Sequence, residues 1–206
     1  MRGLYAIVDP DRCAGRDPVA VAHAILRGGC AVLQLRAKRL ADGPRLALAR
    51  QLGVVCRAAG VPFVVNDRVD LALLADADGV HLGQDDVTPP EARRIVGRMQ
   101  IGVSTHSLAQ ALDAVRNGAD LIGFGPVYET LTKDDPDPVV GIAELRQVCT
   151  QVRVPVVAIG GITRDRAREC AAAGATLVAA ISAVCGAEDP ETAARQMHAA
   201  ARGTSP

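Results

Sequence analysis

The chain has 206 residues, 49% of them hydrophobic, and a formal net charge of zero at pH 7. This length and apolar content suit one sizeable core, in a single domain or a small α/β barrel. Tryptophan is absent, only two tyrosines and two phenylalanines occur, and no block of basic residues stands out, so we expect no nucleic-acid surface. No long uncharged apolar run predicts a membrane span.

The six cysteines are scattered and form no C-x-x-C pair. Zinc and redox motifs need closer spacing, so we interpret the cysteines as reduced and structural. The first ten residues lack the long apolar core of a signal peptide. We therefore expect a cytoplasmic protein.

Short β-branched segments alternate with longer helical segments eight times along the chain. The predicted strands cover residues 4–8, 31–36, 62–66, 79–82, 100–104, 121–125, 155–159 and 177–181. The predicted helices cover residues 18–28, 43–59, 68–76, 89–98, 107–117, 142–151, 164–173 and 189–201. Glycine stands just before several strands, as at a helix C-terminus that leads into a strand.

Near-continuous apolar strands separated by helices indicate a parallel sheet that is buried on both faces. Eight such units predict a (β/α)8 TIM barrel, one domain over residues 1–206 with residues 203–206 frayed. A doubly wound open sheet is the alternative, although about five or six strands are more usual there. The long polar connection over residues 125–141 predicts a functional or mobile loop.

Strand two ends in a polar cluster at the edge of the barrel where active sites are built. Alternation along the strand places Gln34, Arg36 and Lys38 on one face, and Leu35 and Ala37 on the other. Only two of the 23 basic residues are lysine, Lys38 and Lys133. An ammonium and a guanidinium differ in shape and donor geometry, so both lysines are candidates for an anion site. A solvated strand terminus is the alternative for the first cluster.

Carboxylates follow strands three and four. Asn66-Asp67 ends strand three, and Asp85 and Asp86 lie just beyond strand four. Carboxylates that meet at one mouth predict a Mg²⁺ site, because magnesium takes one or two carboxylates plus phosphate oxygens. Alternatively, Asp67 caps the next helix, and at least one of the two later aspartates is a solvated turn residue.

Strand five ends in Ser104-Thr105-His106-Ser107. The hydroxyl of Ser104 can bind a phosphate oxygen, whereas Ser107 is placed as the N-cap of the next helix. No nucleophile is paired with His106, so we assign no catalytic role to this histidine.

The last three strands lead into loops that suit a phosphate. Strand six precedes two hydroxyls and an ammonium, from Thr130, Thr132 and Lys133. Strand seven ends in Gly160-Gly161 and strand eight in Ile181-Ser182. Turns at these two places form a common phosphate cradle in such barrels, although ordinary connecting turns remain the alternative.

Two anion-binding regions therefore share one mouth. The later loops suit a monophosphate, whereas the cations of strand two beside a metal site suit a diphosphate. With Mg²⁺ and no obvious general base, we interpret the diphosphate as a leaving group, on which the cations stabilise the developing charge.

The ordered motifs resemble those of the thiamine-phosphate synthase family from about residue 4 to residue 185. They are Gln-Leu-Arg-x-Lys, Asn-Asp, His-Leu-Gly-Gln-x-Asp, Gly-Val-Ser-x-His, Gly-Pro-Val followed by Thr-x-Thr-Lys, Ile-Gly-Gly-Ile and Ile-Ser. The resemblance implies a transferase that joins 4-amino-2-methyl-5-hydroxymethylpyrimidine diphosphate to a thiazole phosphate. Thiamine monophosphate and pyrophosphate would be the products of a dissociative substitution. Phosphorylated small molecules are thus the expected partners, and a homo-oligomer is compatible with the sequence.

The resemblance also implies roles for individual residues. Those that would hold the pyrimidine diphosphate are Gln34, Arg36, Lys38, Asn66, Ser104 and Lys133, with Lys38, Ser104 and Lys133 as the catalytic candidates. Asp67 and Asp86 would bind Mg²⁺. Those that would hold the thiazole phosphate are Thr130, Thr132, Gly161, Ile181 and Ser182.

The chain departs from the family pattern at two places. Ala37 stands where an acidic residue is usual, and the segment over residues 134–138 is unusually acidic. Strand alternation turns Ala37 away from Lys38, so the first change relaxes support for the site rather than removing a contact. The second is expected to affect loop closure and efficiency.

Three other functions compete with the synthase. A thiazole tautomerase of the same superfamily shares the phosphate cradle, but it has a histidine in place of Pro126 and lacks the Thr-x-Thr-Lys pattern. The second competing function is that of a non-catalytic barrel that senses thiazole phosphate. A pentose-phosphate epimerase is the third, and it needs a histidine-rich metal site that the four histidines of this chain do not supply.

Overall fold

Eight parallel strands close into a barrel in the computed structural model, which describes residues 2–130 and 137–204. The strands are β1 Gly3–Val8, β2 Val32–Leu35, β3 Phe63–Asn66, β4 Gly79–Leu82, β5 Gln100–Thr105, β6 Leu121–Phe124, β7 Val156–Ala158 and β8 Leu177–Ala180. Each strand pairs with its neighbours in chain order, and β8 returns to pair with β1. The predicted TIM barrel is confirmed, and the open sheet is excluded.

Helices follow the strands and cover the outside of the barrel. Those of the described residues are α1 Pro18–Gly28, α2 Asp42–Ala59, α3 Val69–Leu74, α4 Pro89–Val96, α5 Leu108–Arg116, α6 Gly141–Gln151, α7 Arg164–Ala172, α8 Ser182–Cys185 and α9 Pro190–Arg202. Side chains start several of them: Asp17 accepts from the amides of Val19 and Ala20 at the start of α1. Within the described parts of the chain, no helix is long and apolar enough to cross a membrane.

Side chains of the strands separate into two sets. One set fills the barrel interior and comprises Tyr5, Ile7, Val32, Val157, Leu177 and Ala179. The other points outward into the larger core shared with the helices, and it includes Leu33, Leu35 and Ala37. The alternation inferred for strand two is thus observed, because Leu35 and Ala37 face the helices while Gln34 faces the interior.

Two short helices were not predicted. A 3-10 helix over Pro10–Arg12 follows β1, and α8 begins two residues after β8 ends. Both are too short to show the hydrophobic period that identifies a helix in a sequence. At the C-terminus, Gly203 ends α9 in the left-handed conformation, and the amide of Thr204 donates to the carbonyl of Ala199.

Candidate active site

A chain of polar side chains runs from the barrel interior to the carboxyl end of β3. The phenol of Tyr5 donates to Oε1 of Gln34 at 2.7 Å, and Nε2 of Gln34 donates to Oδ1 of Asn66 at 2.9 Å. Burial raises the pKa of Tyr5, so the phenol keeps its hydrogen. That hydrogen fixes the donor-to-acceptor direction along these three side chains, and it leaves the amide NH₂ of Asn66 as the donor at their far end.

Arg36 forms an ion pair with Asp9, a residue that was not among the predicted site residues. One guanidinium nitrogen of Arg36 lies 2.5 Å from Oδ2 of Asp9, a residue only 1% exposed. Asp9 follows directly on β1. Its position at a strand end is therefore the signal in the sequence that indicates it. The ion pair fixes the orientation of the Arg36 guanidinium at the mouth of the barrel.

Lys38, Asp67 and Asp86 meet at the ends of β2, β3 and β4. Nζ of Lys38 lies 3.3 Å from Oδ2 of Asp67. Burial raises the pKa of Asp86, the nearby charge of Asp67 raises it further, and Lys38 opposes the shift. Two carboxylates and an ammonium are therefore close enough to influence one another's charge.

Backbone conformation positions the carboxylate of Asp67, and a backbone hydrogen bond positions that of Asp86. Asp67 has a left-handed backbone with φ of 64°, a conformation that aspartate tolerates better than most residues. Oδ2 of Asp86 accepts from the amide of Gly83 at 2.7 Å, which makes a tight turn after β4. The neighbouring Asp85 is exposed, as expected for one of the two aspartates.

Asp67 does not cap α3. The residue before that helix is Arg68, and it makes no side-chain capping hydrogen bond. The carboxylate of Asp67 instead contacts Lys38. Of the two interpretations of Asp67 offered by the sequence, the cluster at the mouth is the one that agrees with the geometry.

The carboxylate pair matches the donor set of a hard cation. Among the described residues, no group of three or more histidine, cysteine or acidic side chains is placed to hold a metal. A Mg²⁺ ion needs fewer protein ligands, since water and substrate phosphate complete its shell. Asp67 and Asp86 fit that requirement.

Ser104 lies at the interior face of β5, one strand further round the barrel. Oγ of Ser104 is 2.9 Å from Nε2 of His81, which projects from β4. Ser107 caps α5 by accepting from the amide of Gln110, as predicted. His106 makes a 2.5 Å contact with the carbonyl of Gly125 and so joins β5 to the loop after β6.

The loops after β6 and β7 pack tightly against each other. A Cβ atom on Gly160 would lie 2.5 Å from Cα of Pro126, and one on Gly161 would overlap the carbonyl of Glu129. Both glycines have positive φ values, 98° and 62°. The glycines are therefore needed for loop contact, and this contact holds the segment before Thr130 beside the turn after β7.

Arg166 reinforces this pair of loops. Its Nη1 donates to the carbonyl of Gly161 at 2.7 Å, and its guanidinium lies 4.5 Å from the ring centre of Tyr128. Thr130 is half-buried at the last described position before the gap. Thr132 and Lys133 fall within residues 131–136, outside the described part of the chain.

The end of β8 supplies the remaining predicted residues. Ile181 packs against the interior cluster of the barrel, and Ser182 is the exposed first residue of α8. Arg16 ties this region to the loop after β1, since its Nη2 donates to the carbonyl of Cys185 at 2.8 Å.

The two predicted regions occupy different arcs of the mouth. The cations and carboxylates follow β2, β3 and β4, and β5 adds the hydroxyl of Ser104. The glycine-rich and hydroxyl-bearing loops come from β6 to β8. Neighbouring strands in the closed barrel thus keep each set together.

A family model described as thiamine monophosphate synthase matches residues 4–184. The chain belongs to that family. It is an enzyme, a transferase of thiamine biosynthesis, and the resemblance noted in the motifs is confirmed.

Relatives and solved structures agree with this assignment. A thiamine-phosphate synthase of Chloroflexus aurantiacus is 45% identical over 196 residues, which cover 95% of this chain and 91% of the relative. One of Anaeromyxobacter dehalogenans is 46% identical over 212 residues, with 99% and 92% covered. A thiamine phosphate pyrophosphorylase from Pyrococcus furiosus superposes with a TM-score of 0.90 at 37% identity, covering 98% of this chain and 96% of that one.

A more distant barrel shares only the fold. A geranylgeranylglyceryl phosphate synthase from Thermoplasma acidophilum superposes with a TM-score of 0.68 at 15% identity, covering 98% of this chain and 94% of that one. Such a likeness carries no conclusion about substrate.

Proposed function

We propose that the chain couples 4-amino-2-methyl-5-hydroxymethylpyrimidine diphosphate to a thiazole phosphate, and so forms thiamine monophosphate and pyrophosphate. The observation that carries this proposal is the cluster of Lys38, Asp67 and Asp86 at the ends of three neighbouring strands. A monophosphate alone would not need this cluster, whereas a diphosphate with a divalent cation does.

The pyrimidine diphosphate lies over β2 to β5 in this proposal. Arg36 and Lys38 supply positive charge, and Asp9 and Asp67 orient those cations. The amide of Asn66, oriented through Gln34, donates to the substrate. Ser104 adds a hydroxyl from β5, and Lys133 is proposed for the same substrate from the segment outside the described residues.

Mg²⁺ is the proposed cofactor, held by Asp67 and Asp86. When bound, it would supply positive charge to the diphosphate oxygens. The pKa of Asp86 is raised, chiefly by burial and further by the charge of Asp67. Both causes support the assignment, because a bound cation would offset the cost of two negative charges at this place.

The thiazole phosphate lies over β6 to β8. Thr130 and Ser182 supply hydroxyls, and Gly161 and Ile181 belong to the turns that surround the phosphate. Thr132 is assigned to this group as well, from the segment outside the described residues. The packing of Gly160 and Gly161 against the preceding loop supports a fixed cradle.

The reaction is a dissociative substitution in this proposal. The bond between the methylene carbon and the diphosphate oxygen breaks, and both electrons leave with the oxygen. Arg36 and Lys38 stabilise that charge, since both are already oriented before the bond breaks. The thiazole nitrogen then forms the new bond to the methylene carbon, and no proton need be removed by the protein.

A cytoplasmic location is part of the proposal. All six cysteines carry free thiols, which is usual in a reducing compartment. The proposed partners are the two phosphorylated substrates, and a homo-oligomer remains compatible with these sites.

Turnover of matched aspartate variants tests the metal assignment. Asp67→Ala and Asp86→Ala should each abolish Mg²⁺-dependent formation of thiamine phosphate, measured with both substrates at saturating Mg²⁺. Asp85→Ala is the control, because this exposed neighbour lies outside the cluster, and it should keep most of the activity. Metal-dependent turnover that survives in the first two variants would overturn the assignment.

A further inference from the structure

His81 occupies a space that two other strands keep open inside the barrel. His81 is only 9% exposed to solvent. A Cβ atom on Gly102 of β5 would lie 2.5 Å from Nδ1 of His81, and one on Gly123 of β6 would lie 3.1 Å from Nε2. Glycine at both positions therefore admits the imidazole ring and holds it against β5 and β6.

The two ring nitrogens of His81 have different surroundings. Nε2 lies 2.9 Å from Oγ of Ser104. Nδ1 is buried and, within residues 2–130 and 137–204, has no hydrogen-bond partner. The edge of the ring that carries Nδ1 faces Gly102, where a Cβ atom would clash with it, so this nitrogen is closed off from solvent.

These surroundings select one tautomer. A hydrogen on Nδ1 would be a buried donor without an acceptor, which folded proteins avoid more strictly than an unpaired lone pair. The hydrogen therefore belongs on Nε2, where Oγ of Ser104 can accept it. The same argument excludes a doubly protonated ring, because that form would also place a hydrogen on the buried, unpartnered Nδ1.

We propose that His81 is a positioning residue that donates from Nε2 to Oγ of Ser104 and so frees the serine hydrogen for the substrate. This inference rests on the proposed function, in which Ser104 contacts the pyrimidine diphosphate. With Oγ already accepting from His81, the hydroxyl hydrogen points away from the ring. Within the described residues Oγ of Ser104 makes no other hydrogen bond, which leaves an oxygen of the departing diphosphate as the acceptor.

The opposite tautomer would give the opposite result. If Nε2 carried a lone pair, the hydroxyl of Ser104 would donate to it, and only lone pairs would face the diphosphate. A lone pair repels the charge that develops on a leaving oxygen. The protonation of one ring nitrogen thus decides whether Ser104 assists the departure of the diphosphate or opposes it.

Nuclear magnetic resonance of the wild-type protein tests the tautomer directly. In protein labelled with ¹⁵N-histidine, the correlations of each ring nitrogen with the carbon-bound ring protons identify the nitrogen that carries hydrogen. The signals of His81 are assigned by their loss in His81→Gln. We expect a neutral ring with hydrogen on Nε2 at pH 7, and hydrogen on Nδ1 or on both nitrogens would overturn the inference.

Kinetics of single and double variants test the coupling to Ser104. His81→Leu removes the donor, and Ser104→Ala removes the hydroxyl. Each should lower kcat about tenfold with a smaller change in KM. The double variant should be no slower than Ser104→Ala alone, because both changes remove the same interaction. Losses that multiply to about a hundredfold would overturn the inference.

A conservative variant separates positioning from structural support. His81→Gln offers an amide N–H at about the reach of Nε2, so it should recover most of the kcat lost in His81→Leu. Equal losses in the glutamine and leucine variants would contradict a donor role, even if both proteins fold. Absence of turnover in the wild-type protein would instead refute the proposed function and leave the measured tautomer standing.

Discussion

The ammonium of Lys38 lies 3.3 Å from Oδ2 of Asp67, and this contact joins the loop after β2 to the end of β3. The pair is partly open to solvent, with side-chain exposures of 53% and 24%, so its contribution to stability is small. The contact places one compact cation beside Asp67, and we propose that this position serves the diphosphate. In a chain whose other basic residues are arginine except for Lys133, a lysine here predicts a position that needs the smaller cation.

Lys38→Arg should lower kcat by about tenfold or more while the fold stays intact, because a guanidinium is longer and planar and cannot occupy the same point. Steady-state kinetics and circular dichroism measure the two effects. Arg27→Lys is the matched control, since it exchanges the cation of the exposed ion pair with Glu191 on the outer helices. Wild-type turnover in Lys38→Arg would show that the ammonium is not required.

Mg²⁺ should raise the Tm of the wild-type protein, and Asp86→Asn should remove that response. Burial and the charge of Asp67 raise the pKa of Asp86, so its ionised form opposes folding at neutral pH. Without metal, Asp86→Asn should therefore stabilise the protein slightly, by about 1 kcal/mol or less. Differential scanning calorimetry with Mg²⁺ and with a chelator measures both effects. An equal metal response in the two proteins would argue against this ligand.

Tyr5→Phe should weaken binding of the pyrimidine diphosphate, although Tyr5 lies below the mouth. Loss of the phenol leaves Oε1 of Gln34 buried without its donor, which costs about 1–3 kcal/mol of stability. It also lets the Gln34 amide turn over, so the orientation of Asn66 is no longer fixed. We expect KM for this substrate to rise severalfold.

The control for that variant is Tyr128→Phe. It removes the hydrogen bond that the phenol of Tyr128, in the loop after β6, donates to Glu169 of α7. KM for the pyrimidine diphosphate should not change in this protein. A similar rise in both variants would mean that the hydrogen-bond chain from Tyr5 has no specific effect.

Stability should fall as the pH is lowered from about 6.5 toward 4. Burial lowers the pKa of His81 from 6.5 to about 4 against an opposing effect of Asp86, and burial lowers the pKa of His198 as well. Below 6.5 the unfolded chain therefore binds protons that the folded protein does not. His81 alone accounts for up to about 3 kcal/mol of this loss.

His81→Gln checks the origin of that pH dependence. Glutamine does not titrate, so urea unfolding of this variant should show a shallower fall in stability between pH 6.5 and 4 than the wild type. The same slope in both proteins would assign the effect to other groups.

The eightfold succession of apolar strand segments and helical segments was enough to predict the barrel. All eight strands lie within a residue or so of their predicted ranges, because parallel strands buried on both faces are continuous apolar runs. The short helix Ser182–Cys185 was missed because a single turn carries no period. Strand ends also supplied Gln34, Asn66 and Asp67 as candidates, since polar residues there interrupt an apolar pattern.

Partners across the barrel could not be predicted in the same way. Asp9 is remote in sequence from its partner Arg36. In the sequence Tyr5 is indistinguishable from any buried aromatic residue, and only the structure shows that its hydroxyl donates to Gln34. The space for His81 depends on Gly102 and Gly123 in two other strands. These relationships follow from the register of strand pairing, which alternation alone does not specify.

The most direct test of the proposed synthase is to mix the purified protein with pyrimidine diphosphate, thiazole phosphate and Mg²⁺ and to measure both products. We predict one pyrophosphate released for each thiamine monophosphate formed, with no thiamine monophosphate when either substrate or the metal is omitted. Isomerisation of the thiazole phosphate without pyrophosphate release would indicate a tautomerase. No product at high enzyme concentration would contradict the synthase.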